Sequence, residues 1–228
     1  MNTLAADSSY DAGLRAFMLG IYNRMTAALV ITGATAWLVS KFLAPFLMGW
    51  TGILFMLLPI AFVLVLSFGI ERLSYSTANI LFWAFSASMG ISMSTIFLTF
   101  TSTSIASVFF ITAATFGAAS LYGYATSRDL TSMGTFLFVG LIGVVIASVV
   151  NIWLASPILT FVVSVIGVIV FVGLTAYDTQ NLKNDYYSNG EVYGFDSPAK
   201  SSLYGALSLY LNFVNIFQML LNLIGDRE

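Results

Sequence analysis

Seven apolar runs of about twenty residues each dominate this chain of 228 residues. The hydrocarbon core of a bilayer is about 30 Å thick, and a helix needs about twenty apolar residues to cross it. Because backbone polar groups in lipid must bond within their own segment, such runs favour helices. We therefore predict an all-α integral membrane protein with seven transmembrane helices, at residues 25–43, 47–70, 77–100, 104–126, 134–155, 157–178 and 202–224.

The composition excludes several other classes of protein. Apolar residues make up 59% of the chain and charged residues 8%, against about 25% charged in soluble domains. The sequence contains no cysteine and no histidine, so it lacks disulfides, the usual zinc ligands and imidazole-based catalytic triads. A net charge of -2 offers no basic patch for nucleic acid. We predict a lipid-embedded protein that is not an enzyme, binds no nucleic acid and holds no resident cofactor.

Basic residues flank the predicted spans unevenly. With the N-terminus inside, six lie on the cytoplasmic side and only Lys41 and Arg227 lie outside; the six are Arg15, Arg24, Arg72, Arg128, Lys183 and Lys200. Short cytoplasmic loops carry the excess of basic residues, so we predict a cytoplasmic N-terminus and an external C-terminus. We expect residues 1–20 to form a polar cytoplasmic tail and residues 21–228 to form the transmembrane domain.

Asp178 is the first candidate functional residue. About twenty uncharged residues, from Pro157 to Tyr177, precede it, and it is the only carboxylate that lies inside an apolar run rather than at its edge. A charged side chain costs about 3 kcal/mol at the centre of an inserted helix, so such groups usually face a bundle interior or a water-filled path. Two interpretations remain open: a proton-sensitive polar site, or a carboxylate that bonds locally at a helix end and is exposed to water.

The last predicted span has two different faces. At about 100° per residue, its small and polar side chains fall within one arc: Gly205, Ser208, Asn212, Asn215 and Asn222. The opposite side carries larger side chains that we expect to face lipid: Tyr210, Phe213, Phe217, Leu220 and Leu221. Asn212 lies at least as deep as Asp178, so we expect the two to meet in the inner half of the membrane.

Three runs in the second half of the chain carry a resemblance to a known family: VIGVIVFVGLTAYDTQNLK, YGALSLYLNFVNIFQMLL and FGAASLYGYATSRDLTSMGTFLFVGLIGVVIASVVNIWL. From about residue 15 onward the chain resembles the Bax inhibitor-1 family, also called transmembrane Bax inhibitor motif proteins, in a bacterial form. The resemblance implies six helices around a central seventh in the bacterial inner membrane. It also implies a pH-sensitive calcium leak, gated by two hydrogen-bonded aspartates on the last two helices. Some bacterial members are linked instead to inhibition of the membrane-bound ATP-dependent protease FtsH.

The family's gating residues map onto this chain with one departure. The aspartate of the sixth helix corresponds to Asp178 in TAYDTQ, but the aspartate of the seventh falls in LYLN, where this chain has Asn212. An arginine near the cytoplasmic end of the second helix corresponds to Arg72 in GIERLS, although Glu71 beside it fits a simple surface ion pair equally well.

The departure changes the chemistry that we expect. Two adjacent carboxylates share a proton because the second charge repels the first, and an aspartate beside an asparagine has no such repulsion. We expect a weaker or more acidic pH response, and a weaker attraction for calcium, for which Asp178 is the candidate ligand.

Two hypotheses of different classes follow. The leading one is a pH-sensitive calcium leak channel in which Asp178 is the gate, Asn212 its partner, and Asn215 and Arg72 belong to the ion pathway. The alternative is a regulator that conducts nothing and binds a membrane protease such as FtsH, or another membrane partner.

Overall fold

The computed structural model describes residues 2–43, 50–69, 72–188 and 197–227, and these are helical almost throughout. The helices are α1 (Asn2–Phe42), α2 (Trp50–Gly69), α3 (Tyr75–Met93), the single turn α4 (Ile96–Thr99), α5 (Ser102–Ala125), α6 (Thr131–Leu154), α7 (Pro157–Tyr187) and α8 (Pro198–Ile224). Within those ranges, one isolated bridge between Phe100 and Arg227 is the only extended pairing. The prediction of an all-α protein is confirmed.

Six stretches among the described residues are long and apolar enough to cross a membrane: Ala12–Phe42, Tyr75–Thr99, Ser102–Ala125, Thr131–Leu154, Pro157–Tyr187 and Pro198–Ile224. The second predicted span, residues 47–70, corresponds to α2, a helix of 20 residues with Pro59 inside it. Its stretch Leu54–Gly69 is apolar. The prediction of seven spans is confirmed for six of them.

The chain forms two compact units, Met1–Leu98 with Asn181–Tyr210, and Thr99–Gln180 with Leu211–Glu228. In the first unit, α3 packs against both α1 and α2. One buried stripe follows α1 at steps of three and four residues, which is the spacing of a single helix face: Leu14, Met18, Ile21, Met25, Ala28, Thr32, Ala36 and Val39. The stripe begins within residues 1–20, and α1 continues without a break past that predicted boundary.

Gly90 of α3 lets α1 and α3 approach closely. A Cβ atom at this position would lie 2.5 Å from the carbonyl oxygen of Thr32 and 2.7 Å from the Cβ atom of Thr35. Ser86, one turn earlier, is fully buried on the same helix. Small residues spaced by four allow close helix packing in a membrane, where apolar contact with lipid provides no driving force for association.

Aromatic side chains of α8 fill the core of the second unit. The ring of Phe213 lies 5.5 Å from Phe109 and 5.6 Å from Phe116, and Phe217 lies 6.4 Å from Phe109. Phe213 is 4% exposed and Phe217 is 9% exposed. The expectation that this side of the last helix faces lipid was wrong, because lipid and a packed interior are equally apolar and hydrophobicity does not distinguish them.

A short turn joins α6 to α7 in the second unit. Ala155 adopts a left-handed conformation with φ 45°. The side chain of Asn151 accepts from the N–H of Ser156 over 3.0 Å and donates to Oγ1 of Thr160 over 2.7 Å. One amide therefore fixes both the turn and the pairing of the two helices.

Candidate functional site

Asp178 and Asn212 are in direct contact. Nδ2 of Asn212 donates to Oδ2 of Asp178 over 2.7 Å. Asn212 is 5% exposed, and Asp178 is half-buried inside α7, nine residues before the helix ends at Tyr187. The helix extends past residue 178, where the sixth span was expected to end. Asp178 is therefore not a carboxylate that bonds only locally at a helix end, because its amide partner belongs to α8.

The two residues after Asp178 bind other elements of the second unit. Oγ1 of Thr179 lies 3.0 Å from Oγ of Ser120 on α5, and both side chains are buried. The side-chain oxygen of Gln180 accepts from the N–H of Leu130 over 2.9 Å, and its amide nitrogen donates to the carbonyl oxygen of Arg128 over 2.8 Å. Three consecutive residues of α7 thus bind α8, α5 and the loop between α5 and α6.

Sequence reasoning did not identify Gln180, which is 7% exposed. The available signal was a long amide side chain two residues after the candidate aspartate, in a helix that continues beyond it. The predicted span ends at residue 178, so Gln180 falls just outside it.

The loop held by Gln180 also begins α6. Oδ1 of Asp129 accepts from Oγ1 of Thr131 over 2.6 Å and from the N–H of Thr131 over 2.9 Å. These bonds, from the side chain first and then the backbone, favour the ionised carboxylate and hold the pKa of Asp129 below its ordinary value.

A cavity of about 420 Å³, lined by both polar and apolar side chains, lies among α6, α7 and the C-terminal part of α8 in the second unit. From α6 and α7 it is lined by Ser148, Asn151, Thr160 and Ser164. From α8 it is lined by Asn215, Gln218 and Asn222. An adjoining cavity of about 370 Å³ shares Asn151, Thr160 and Asn222 and reaches Arg227.

Asn215, predicted to belong to an ion pathway, lines this cavity. Its amide nitrogen donates to the carbonyl oxygen of Leu211 over 2.8 Å. Gln218 was missed, because it lies outside the arc of small and polar residues that the helical spacing predicts.

Arg72 has a different setting in the first unit. It is exposed in the turn between α2 and α3, where its N–H donates to the carbonyl oxygen of Gly69 over 2.9 Å. Its proposed ion-pair partner, Glu71, lies outside the described residues. Another arginine of this unit, Arg24, donates to the hydroxyl of Tyr75 over 2.6 Å and to Oγ of Ser202 over 3.0 Å.

Comparison with known proteins identifies the family. Residues 14–228 match the family described as inhibitor of apoptosis-promoting Bax1. The chain is 46% identical over 221 residues to the inner membrane protein YbhL of Escherichia coli K12, covering 95% of this chain and 94% of the relative. It is 44% identical over 234 residues to the uncharacterized protein RP147 of Rickettsia prowazekii, covering 100% and 97%. The chain is thus a multi-pass inner membrane protein, and it belongs to the Bax inhibitor-1 family.

Proposed function

We propose that this protein is a pH-sensitive cation leak of the inner membrane, with calcium as the transported ion and Asp178 as the gate. The observation that carries the proposal is the 2.7 Å hydrogen bond from Asn212 to Asp178, made by an amide that is 5% exposed. A carboxylate at membrane depth with one specific polar partner is the usual setting of a proton or ion pathway.

The pair has two hydrogen-bonded states that differ by one proton. An ionised carboxylate only accepts, so it takes the N–H of Asn212, as the structure has it. A protonated carboxyl group still accepts but also gains an O–H donor, and the amide of Asn212 can accept that new bond only by turning its oxygen toward Asp178. Gain of a proton therefore allows a buried side chain of α8 to reorient. This reorientation is the gating step that we propose.

The same pair suits weak binding of a passing cation. Calcium is held by carboxylate and amide oxygens, usually six to eight of them. Within the described residues, no group of three acidic side chains forms a metal site. Asp178 would offer one carboxylate and Asn212 one amide oxygen, with water as the remaining ligands, which suits a transported ion rather than a resident one. Asn215 would line the same path, and Arg72 would act at its cytoplasmic end.

The proposal includes the arrangement that the family resemblance implies, with α8 as the central helix, the N-terminus in the cytoplasm and the C-terminus outside. The most apolar window of α8 is 50% buried, against 11% to 39% in the other five candidate spans. High burial of one helix supports a central position.

The test is calcium flux into liposomes that contain the purified protein and a calcium-sensitive dye, measured from pH 5 to pH 8. Asp178→Asn keeps the size of the side chain and removes its titration, so flux should become independent of pH. Asp129→Asn is the matched control, because this acid is exposed in a loop of the same unit, and it should keep the wild-type profile. A pH profile unchanged in Asp178→Asn would remove the gate assignment.

A wild-type protein that is folded but passes no calcium at any pH would overturn the channel. The hypothesis of a regulator that binds a membrane protease would then take its place. Co-purification of a protease from native membranes, lost on deletion of residues 1–20, would support that regulator.

A further inference from the structure

We propose that the cavity among α6, α7 and α8 is a water-filled vestibule that leads from the C-terminal end of α8 toward the Asp178–Asn212 pair, with Arg227 at its mouth opposing cation entry. The ion-conducting role of this vestibule rests on the proposed function. The hydration and the charge selectivity of the vestibule do not depend on that function, and they can be measured separately.

The size and lining of the cavity suit water. A volume of about 420 Å³ is far above the roughly 10–15 Å³ that a cavity needs to hold one water. Water in a cavity needs polar partners, and amides and hydroxyls from all three helices supply donors and acceptors. Ser148 and Thr160 offer hydroxyls and Asn215 and Asn222 offer amides, beside apolar side chains such as Phe171 that complete the lining.

The cavity approaches the gate along α8. Asn222 and Asn215 both line it, two turns apart on the same helix. Asn212 lies three residues before Asn215, a rise of about 4.5 Å. The polar lining therefore ends within one helical turn of the amide that bonds Asp178.

Arg227 places a guanidinium group at the outer end of the vestibule, next in sequence to the exposed Asp226. Arg227 borders the adjoining cavity of about 370 Å³ together with Asn222 and Asn151, which line both cavities. Its guanidinium carbon lies 5.6 Å from the ring centroid of Phe100, a contact that holds the side chain at this end. A fixed cation at the mouth attracts anions and repels cations, and salt screens the effect.

Cysteine labelling tests the hydration, because the chain has no cysteine and each variant carries a single thiol. Maleimides react with the thiolate, which forms in water and is suppressed in apolar surroundings. We compare Ser148→Cys, which lines the cavity, with Val150→Cys, which is 42% exposed on α6 and does not line it. Asp226→Cys, an exposed position next to Arg227, marks the side on which the C-terminal end lies.

With a membrane-impermeant maleimide, Ser148→Cys should label from the same side as Asp226→Cys and about tenfold faster than Val150→Cys. Asn215→Cys, deeper on α8, should label from that side too. Equal rates for Ser148→Cys and Val150→Cys, or labelling of Ser148→Cys from the opposite side, would overturn the vestibule. If the cysteines label as expected but the protein passes no calcium, the vestibule is supported and the channel is rejected. If the protein shows pH-dependent flux but Ser148→Cys and Asn215→Cys do not label, the channel is supported and the vestibule is rejected.

The charge at the mouth is tested at Asn222→Cys with a cationic and an anionic thiol reagent of similar size. Replacing Arg227 by Gln should raise the ratio of the cationic to the anionic labelling rate about threefold to tenfold at low salt, and less at high salt. A ratio unchanged by Arg227→Gln at low salt would show that Arg227 does not control entry.

Discussion

The amide of Asn212 donates a hydrogen bond of 2.7 Å to the carboxylate of Asp178, and the two side chains come from different helices of the same compact unit. The family resemblance implies two aspartates in this position. With one amide and one acid, the pair carries one titratable proton, and no like charge opposes ionisation of Asp178. This substitution gives the first prediction.

Asn212→Asp should strengthen the pH dependence of calcium flux and move its midpoint toward neutral pH, because two adjacent carboxylates resist simultaneous ionisation. The measurement is liposome flux against pH. The matched control is the exchanged pair, Asp178→Asn with Asn212→Asp, which again holds one acid and one amide. It should behave like the wild type, and a two-acid profile in the exchanged pair would contradict the pairing.

A buried hydroxyl pair in the first unit should contribute to stability. Oγ1 of Thr32 lies 2.9 Å from the carbonyl oxygens of Ala28 and Ser86, and 2.7 Å from the hydroxyl of Tyr210. Because Thr32 has one proton and two carbonyl acceptors, Tyr210 acts as the donor to Thr32.

Thr32→Val should therefore lower the free energy of unfolding by about 1–3 kcal/mol, since it leaves a buried hydroxyl without its acceptor. Tyr210→Phe should cost less, about 0.5–1.5 kcal/mol, because Thr32 keeps its carbonyl acceptors. Unfolding in detergent measures both, with Thr26→Val at an exposed position of α1 as the control. A larger loss for Tyr210→Phe would reverse the donor assignment.

Close packing of α1 and α3 predicts opposite effects for two Gly→Ala changes. Gly90→Ala should destabilise the protein by about 1–3 kcal/mol, because its methyl group would overlap the backbone of α1 at Thr32. Gly33→Ala, where an added Cβ atom meets nothing within 4 Å, should be neutral or stabilise by up to about 1 kcal/mol. Thermal unfolding compares the two variants. Equal effects would argue against the close approach.

Gln180 should protect the loop between α5 and α6 from proteolysis. Its side chain holds the backbone at Arg128 and Leu130 in place, and trypsin cleaves after arginine. Gln180→Leu should raise the rate of cleavage at Arg128 about tenfold, because cleavage follows local opening of the backbone. Gln218→Leu, which removes an exposed glutamine of α8, is the control and should leave that rate unchanged. Protection retained in Gln180→Leu would mean that other contacts hold the loop.

Asp129 predicts a pH dependence at the start of α6. The pKa of Asp129 in the folded protein is below the ordinary value of 3.8. Its contribution to the stability of the folded state is therefore fully present above pH 3.8, and it is lost as the pH falls through the lower pKa of the folded protein. Hydrogen exchange at the Thr131 amide should be faster in Asp129→Ala than in the wild type at neutral pH. The two proteins should converge well below pH 3.8, and a difference that persists undiminished far below that pH would contradict the assignment.

Most of the fold followed from apolar run length. The runs predicted six stretches that the structure contains as long apolar helices, because the bilayer fixes the length of a crossing. Helix ends were less predictable. Residues 179–187 are polar enough to resemble a connection, yet they continue α7, because Thr179 and Gln180 have buried partners on other elements.

The sequence by itself determined the chemistry available: a lone acid within an apolar run, an amide where the family has a second acid, and no cysteine or histidine. Only the tertiary structure decided which groups meet, joining Asp178 to Asn212, holding Gln180 against the loop, and burying the aromatic side of α8. The physical reason is that hydropathy measures transfer out of water, and lipid and a packed interior satisfy it equally. Whether a side chain faces lipid or the packed interior depends on how each helix is rotated about its axis. The order of apolar residues along the chain does not determine that rotation.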